Sequence, residues 1–209
     1  MQKITSHCFD GSAIRRFSSA FLCAGVLALA GCASTYVDTA IKEVPASSMK
    51  KPAQPQPVQL VFEFQSKGAP NTRATAVLKE DVVKQVTNSG LFAKVANDPT
   101  PGIGLLSVTL NNVPLTDNPG AQGFVTGLTF GLAGSAVSDG YICTVTYLPA
   151  GQTKPLVKTA RHAIHTTLGN ANPPAGAIKA ENQLAAVHTM TRDIVSNALK
   201  DLSDDPAFQ

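Results

Sequence analysis

The chain has 209 residues, of which 15% are charged and 6% are aromatic, and it contains no Trp. This length predicts one domain with accessory segments, and the composition predicts a modest core with many loops. The formal net charge is +3, but loss of Lys3, Arg15, Arg16 and Asp10 with a cleaved leader would leave 14 basic and 13 acidic residues. Such a balanced charge excludes the electrostatic footprint of a nucleic-acid-binding protein.

The first 31 residues have the layout of an export signal. Residues 1–16 are polar and carry the basic side chains, and residues 17–30 contain no charge. This apolar core has 14 residues, whereas a membrane-spanning helix needs about 20. The pattern therefore favours a cleaved signal peptide over a permanent transmembrane anchor.

The end of the apolar core is the most informative motif in the chain. Leu29, Ala30, Gly31 and Cys32 resemble the lipobox of bacterial lipoproteins, in which Leu and two small residues precede an invariant Cys. The resemblance covers residues 1–32. It implies cleavage between Gly31 and Cys32, followed by attachment of diacylglycerol and further acyl chains such as palmitate to Cys32. The alternative is an ordinary secretory signal with a chance cysteine at its cleavage point.

The same resemblance implies a location. Two or three acyl chains give a stable membrane anchor, and Ala33 in place of Asp after Cys32 favours the outer membrane, with the protein facing the periplasm. Cys8 and Cys23 would leave with the signal, so that Cys143 would be the only free thiol. No disulfide and no cysteine cluster for a metal is then available, and we predict no cofactor besides the acyl chains on Cys32.

Residues 32–57 are predicted to form the lipidated amino terminus and a flexible tether. Pro52, Pro55 and Pro57 favour an extended chain in this segment. Such a tether would hold a soluble domain, predicted at residues 58–205, away from the bilayer.

The predicted domain begins with a strand, because Val58, Leu60, Phe62 and Phe64 alternate with mostly polar residues. A helix follows at residues 72–89, with Asn71 as its N-cap and a glycine as its stop. Further elements are predicted as strands at 91–95, 105–113, 141–148 and 156–168 and as a helix at 179–202. This order predicts an α+β fold with a mostly antiparallel sheet of four or five strands and both helices on one face.

A looser resemblance concerns the sequence motif after the first helix, which contains Ser89, Gly90, Leu91, Phe92 and Val95. The order of strand, helix and this motif is similar to that in small envelope lipoproteins: the curli-secretion lipoprotein family, the lipoprotein activators of peptidoglycan synthases, and the amino-terminal domain of the Tol-system propeller protein. The resemblance covers about forty residues. It implies a role in periplasmic assembly or export and transfers no active site.

Residues 117–140 form a glycine-rich insertion in which 21 consecutive residues carry no charge. Its candidate contact residues for a partner or the membrane are small and apolar side chains at four-residue spacing: Gly123, Phe124, Gly127, Leu128, Gly131 and Leu132. On a helix, such glycines form a groove that another helix can approach. The alternatives are a loop over one sheet edge, a partner or oligomer interface, and a membrane-inserted segment.

Local motifs for catalysis or metal binding are lacking. His162 and His165 are three residues apart in a predicted strand, so their side chains should point to opposite faces. We therefore expect exposed or half-buried histidines, without a shared metal ion. Cys143 is expected to be a buried structural thiol, and no Gly-x-Ser-x-Gly motif is present.

These observations favour a non-enzymatic outer-membrane lipoprotein that acts as an accessory, assembly or secretion-related binding module. Its partners would be the membrane, through the lipid anchor, and an envelope protein or a second copy of the chain, with no nucleic acid. One alternative is an envelope hydrolase or ligand-binding lipoprotein, which a deep pocket lined by His162 or His165 with an acid would favour. Another alternative is an oligomeric, pore-forming lipoprotein.

Overall fold

The computed structural model describes residues 33–115, 136–168 and 171–208. Within these ranges eight strands form one sheet: β1 Ala33–Val37, β2 Pro57–Ser66, β3 Ala69–Pro70, β4 Lys94–Ala96, β5 Gly104–Pro114, β6 Ala136–Leu148, β7 Leu156–Leu168 and β8 Ile178–Lys179. The α-helices in the described part are α1 Thr72–Ser89 and α2 Gln183–Asp204.

The sheet has the order β3-β2-β5-β6-β7-β1-β8, with β4 also paired to β2. β5, β6 and β7 are antiparallel, whereas β2 runs parallel to both β4 and β5. A parallel pair needs a crossover, and α1 supplies it. The predicted α+β class is confirmed, but the sheet is larger than four or five strands and is mixed. β3 and β8 have two residues each, too few to produce a hydrophobic period.

Both helices cover the same face of the sheet, as predicted. The period-2 pattern of β2 turns its apolar residues towards them, and the register continues this layer through Phe62, Val108 and Val145 on neighbouring strands. The helices contribute a stripe of buried side chains to the same core: Leu78, Val82 and Val86 from α1, and Met190, Ile194, Val195, Ala198, Leu199 and Leu202 from α2. Burial of this layer is the main favourable contribution to folding.

The boundaries of α1 confirm the capping signals. The Asn71 side chain accepts a hydrogen bond from the Ala74 N–H at 3.0 Å, and Gly90 adopts a left-handed φ of +65° just after the last turn. α2 begins later than predicted, because residues 178–179 form β8 and Asn182 supplies the N-cap.

The segment at residues 33–57 differs from its prediction, and the flexible-tether interpretation is wrong. Its first five residues form β1, an internal strand of the sheet. Val37 and Met49 are both only 6% exposed, and the Val44 N–H donates to Ser196 Oγ at 2.9 Å. The folded domain therefore starts at residue 33 instead of 58. Prolines restrict this segment to extended shapes, which also suit a chain that lies along a folded surface.

Candidate functional site

One end of the sheet brings together the start of β1 and the start of both helices; we call it the Ala33 end. Ala136 of β6 is paired with Thr167 of β7, and the Thr167 hydroxyl donates to the Ser34 carbonyl of β1 at 3.5 Å. β2 runs towards this end but stops short of it: Ser66 is level with Asn112, Tyr141 and His162, whereas Ser34 lies beside Thr167, five residues further along β7. α1 follows β2 after a short turn and starts there. β8 runs antiparallel to β1 and leads to the start of α2 at the same end.

An apolar groove lies between the first turns of α1 and α2 at the Ala33 end. Its volume is about 500 Å³. It is lined by Phe64, Asn71, Arg73, Ala74, Val77, Leu78, Gln183, Leu184 and Val187. Val77 is 46% exposed and Leu184 is 54% exposed, so the groove has apolar rims that nothing in the described chain covers. A smaller cavity at the opposite end is lined partly by the aromatic cluster of Phe92, Tyr147 and Phe208.

A buried polar cluster of Asp38, His165 and Ser138 lies where β1, β7 and β6 meet. His165 is fully buried and Asp38 is 3% exposed. His165 Nε2 donates to Asp38 Oδ2 at 3.2 Å, because a carboxylate only accepts. The other ring nitrogen, Nδ1, is hydrogen-bonded to the Ser138 hydroxyl, with 2.7 Å between Nδ1 and Oγ. Three strands are thus joined by one continuous hydrogen-bonded chain.

A second buried histidine–aspartate pair lies on the helix side of β7. His162 Nε2 is 3.3 Å from Asp193 Oδ2 of α2, and His162 Nδ1 accepts from the Ala163 N–H at 2.8 Å. The two histidines therefore point to opposite faces, as predicted. The expectation that they are exposed or half-buried is wrong, since both are fully buried and each is paired with an acid. Among the described residues no group of three potential ligands could hold a metal ion.

The carboxyl group of Asp38 stays ionised despite its burial. Burial acts to raise its pKa, but the hydrogen bond from His165 and the one from the Ala40 N–H at 2.7 Å act in the opposite direction, as do the charges of His165 and His162. The net result is a pKa below the ordinary value of 3.8. The cluster thus favours a charged acceptor beside the histidine ring.

Cys143 lies in β6 at the centre of the core, as predicted. It is fully buried, and this burial raises the pKa of its thiol to about 12. A thiol with this pKa is almost entirely protonated near neutral pH and is a poor nucleophile. Cys143 is therefore a structural residue.

The lipobox residues Leu29, Ala30, Gly31 and Cys32 lie outside the described residues, as does the glycine-spaced series. That series comprises Gly123, Phe124, Gly127, Leu128, Gly131 and Leu132. These assignments therefore remain predictions. In the part of the chain that is described, no helix is long and apolar enough to cross a membrane.

No family model matches the chain, and no curated protein matches it. Solved structures similar to it include a minor lipoprotein from Acinetobacter baumannii, with 15% identity over 71% of this chain and 89% of that chain and a TM-score of 0.33. The PelC dodecamer from Paraburkholderia phytofirmans has 9% identity over 81% and 96% of the two chains and a TM-score of 0.34.

A third similar structure is rare lipoprotein B from Shewanella oneidensis, with 16% identity over 68% of this chain and 87% of that chain and a TM-score of 0.25. Several of these similar structures are thus named lipoproteins. TM-scores this low do not establish a shared fold, so the function of the chain has to be argued from its own residues.

Sequence reasoning missed Asp38, Ser138 and Asp193 as partners of the histidines. They come from the position just after β1, from β6 and from α2, far from His162 and His165 in the chain, so local spacing could not associate them. One usable signal was present: Thr35, Tyr36 and Val37 before Asp38 are good strand formers. A strand predicted here would have placed Asp38 at the edge of the core, where a buried carboxylate needs a hydrogen-bonding partner.

Proposed function

We propose that this protein is a non-catalytic accessory lipoprotein of the bacterial envelope. Acyl chains on Cys32 hold it in the outer membrane, and the domain faces the periplasm as a binding module for an envelope partner or a second copy of itself. No cofactor takes part.

The observation that carries this proposal is the meeting of the lipobox with the domain boundary. Leu29-Ala30-Gly31-Cys32 ends an apolar leader, and β1 begins at Ala33. Cleavage before Cys32 would therefore leave the whole of β1 in the mature chain, directly after the lipid-bearing residue. The organisation fits a mature protein that begins with a lipid-bearing residue and continues directly into a folded domain.

The proposal is tested by intact mass and membrane fractionation of the wild type and of Cys32→Ala. We expect the wild-type mass to show loss of residues 1–31 and addition of acyl chains, with the protein in the outer-membrane fraction. The Cys32→Ala protein should lose the acyl mass and the membrane association. Cys143→Ala is the matched control, because it removes the other mature cysteine and should leave the anchor unchanged. An unacylated wild-type protein would refute the proposal.

A second candidate function, a serine hydrolase, is favoured by the Ser138–His165–Asp38 cluster. Ser138 is half-buried, and its Oγ lies 2.7 Å from a histidine nitrogen whose ring is held by a carboxylate. This resembles the arrangement of an activated nucleophile. However, Ser138 lies within β6, where it is paired with His165 of β7 and its carbonyl accepts from the Leu115 N–H, whereas hydrolase nucleophiles sit on sharp turns. We therefore assign the cluster to the joining of β1 to the sheet.

A fluorophosphonate probe distinguishes the two functions. We expect no labelling of the wild type above that of Ser138→Ala, because Ser138 lies within a strand and not on the sharp turn that presents a hydrolase nucleophile. A catalytically competent hydrolase used in parallel shows that the probe is active. Labelling of the wild type that disappears in both Ser138→Ala and His165→Ala would establish the hydrolase and contradict the accessory function.

A further inference from the structure

We propose that the Ala33 end of the domain rests on the bilayer, with the rims of the groove between α1 and α2 in contact with lipid. This inference rests on the proposed lipidation of Cys32 and adds an orientation to it. It identifies Val77 and Leu184 as membrane-contacting residues and a phospholipid surface as their partner.

The length of chain between lipid and domain limits the distance of the domain from the membrane. Ala33 already belongs to β1, so only Cys32 separates the acyl chains from the sheet. One extended residue spans at most about 3.6 Å. β1 cannot move away from the sheet freely. The residue that follows it is hydrogen-bonded to β7, since the Asp38 N–H donates to the Ala163 carbonyl at 3.1 Å. The Ala33 end therefore has to lie at the membrane surface.

The surface at this end suits contact with lipid. Val77 and Leu184 form the rims of the apolar groove, and Leu168 at the end of β7 is 49% exposed. Scattered exposed apolar residues are common, and Val157 at the opposite end is 53% exposed. What distinguishes Val77 and Leu184 is that they line one mostly apolar groove on the side of the domain that carries the proposed anchor.

The charged residues near this contact are mostly basic. Lys67, Arg73 and Lys179 are exposed near the Ala33 end, as is Glu181, which precedes α2. Three bases against one acid would add attraction to an anionic lipid. Zwitterionic phosphatidylcholine is therefore the lipid that tests the apolar contact by itself.

The test uses the processed, full-length lipoprotein reconstituted into phosphatidylcholine vesicles through its own anchor. Val77→Cys and Leu184→Cys are labelled with an environment-sensitive fluorophore, and Val157→Cys is the matched control. Cys143 is fully buried and should not react. We expect brominated lipid to quench the labels at 77 and 184 at least about threefold more than at 157, since interfacial apolar faces enter the headgroup boundary.

The outcomes separate the two proposals. Acyl mass on Cys32 with preferential quenching at 77 and 184 supports the orientation. Acyl mass with equal or absent quenching overturns the orientation and leaves the anchor standing. Absence of acyl mass refutes the anchor, and the orientation that rests on it falls with it. If one substitution lowers the melting temperature, the quenching result is taken from the other variant. This is possible because Val77 and Leu184 belong to different helices.

Discussion

Replacing Asp38 with alanine should lower the free energy of unfolding by about 3 kcal/mol at neutral pH, since removing one partner of a buried pair leaves the other uncompensated. The carboxylate accepts from His165 Nε2 at 3.2 Å and from the Ala40 N–H at 2.7 Å, and alanine satisfies neither donor. Denaturant unfolding of the purified protein measures the loss. Asp201→Ala removes an exposed acid from α2 and should change stability by less than about 0.5 kcal/mol.

The difference in free energy of unfolding between wild type and Asp38→Ala should depend on pH in a definite direction. Because the pKa of Asp38 is lowered in the folded state, its contribution is fully present above the ordinary value of 3.8. The contribution is lost as the pH falls through the lower folded-state pKa. The contribution of the carboxylate to the stability difference between wild type and Asp38→Ala should therefore shrink as the pH falls below about 4. A difference that does not shrink in this range would contradict the assigned role of the carboxylate.

The second large effect is expected when β1 is replaced by a flexible sequence. Substituting Gly-Ser-Gly-Ser-Gly for residues 33–37 removes the buried Val37 side chain, worth roughly 1.5–3 kcal/mol, and weakens pairing with β7 and β8. For a domain of this size the melting temperature should fall by roughly 10 °C. Thermal unfolding of the purified protein, followed by circular dichroism, measures the change in Tm.

The matched control for the β1 replacement is Gly-Ser-Gly at residues 152–154, which are exposed in the turn between β6 and β7. This control should retain a Tm close to that of the wild type. If the two replacements have equally small effects, residues 33–37 behave as a tether and the sheet position of β1 is wrong.

Much of the fold could be predicted where the hydrophobic period was long and its ends were marked. α1 occupies the predicted residues 72–89, because four-residue spacing coincides with Asn71 and Gly90 at its ends. β7 likewise occupies the predicted residues 156–168. β1 was missed because its five residues lie beside prolines and polar residues that are typical of linkers. Its stability comes from pairing with β7 and β8, which local sequence does not reveal.

The candidate site was less predictable than the fold. Strand geometry correctly placed His162 and His165 on opposite faces. Their burial was missed, because it depends on the cover that Asp38 and Asp193 supply from distant elements. A histidine that is buried in isolation would be costly, whereas one paired with a carboxylate is not. The sequence contains the residues of these pairs but not the contacts between them.

For the proposed exported lipoprotein, the pairing of β1 with late parts of the chain would fix an order of events during biogenesis. The Asp38 N–H donates to the Ala163 carbonyl, and the Val44 N–H donates to Ser196 near the carboxyl terminus. A polypeptide exported from its amino terminus therefore presents residues 33–50 long before their partners have crossed the membrane. The enzymes that acylate and cleave at Cys32 would meet an extended substrate, and closure of β1 would follow after α2 has emerged. The protein would thus be anchored first and folded second.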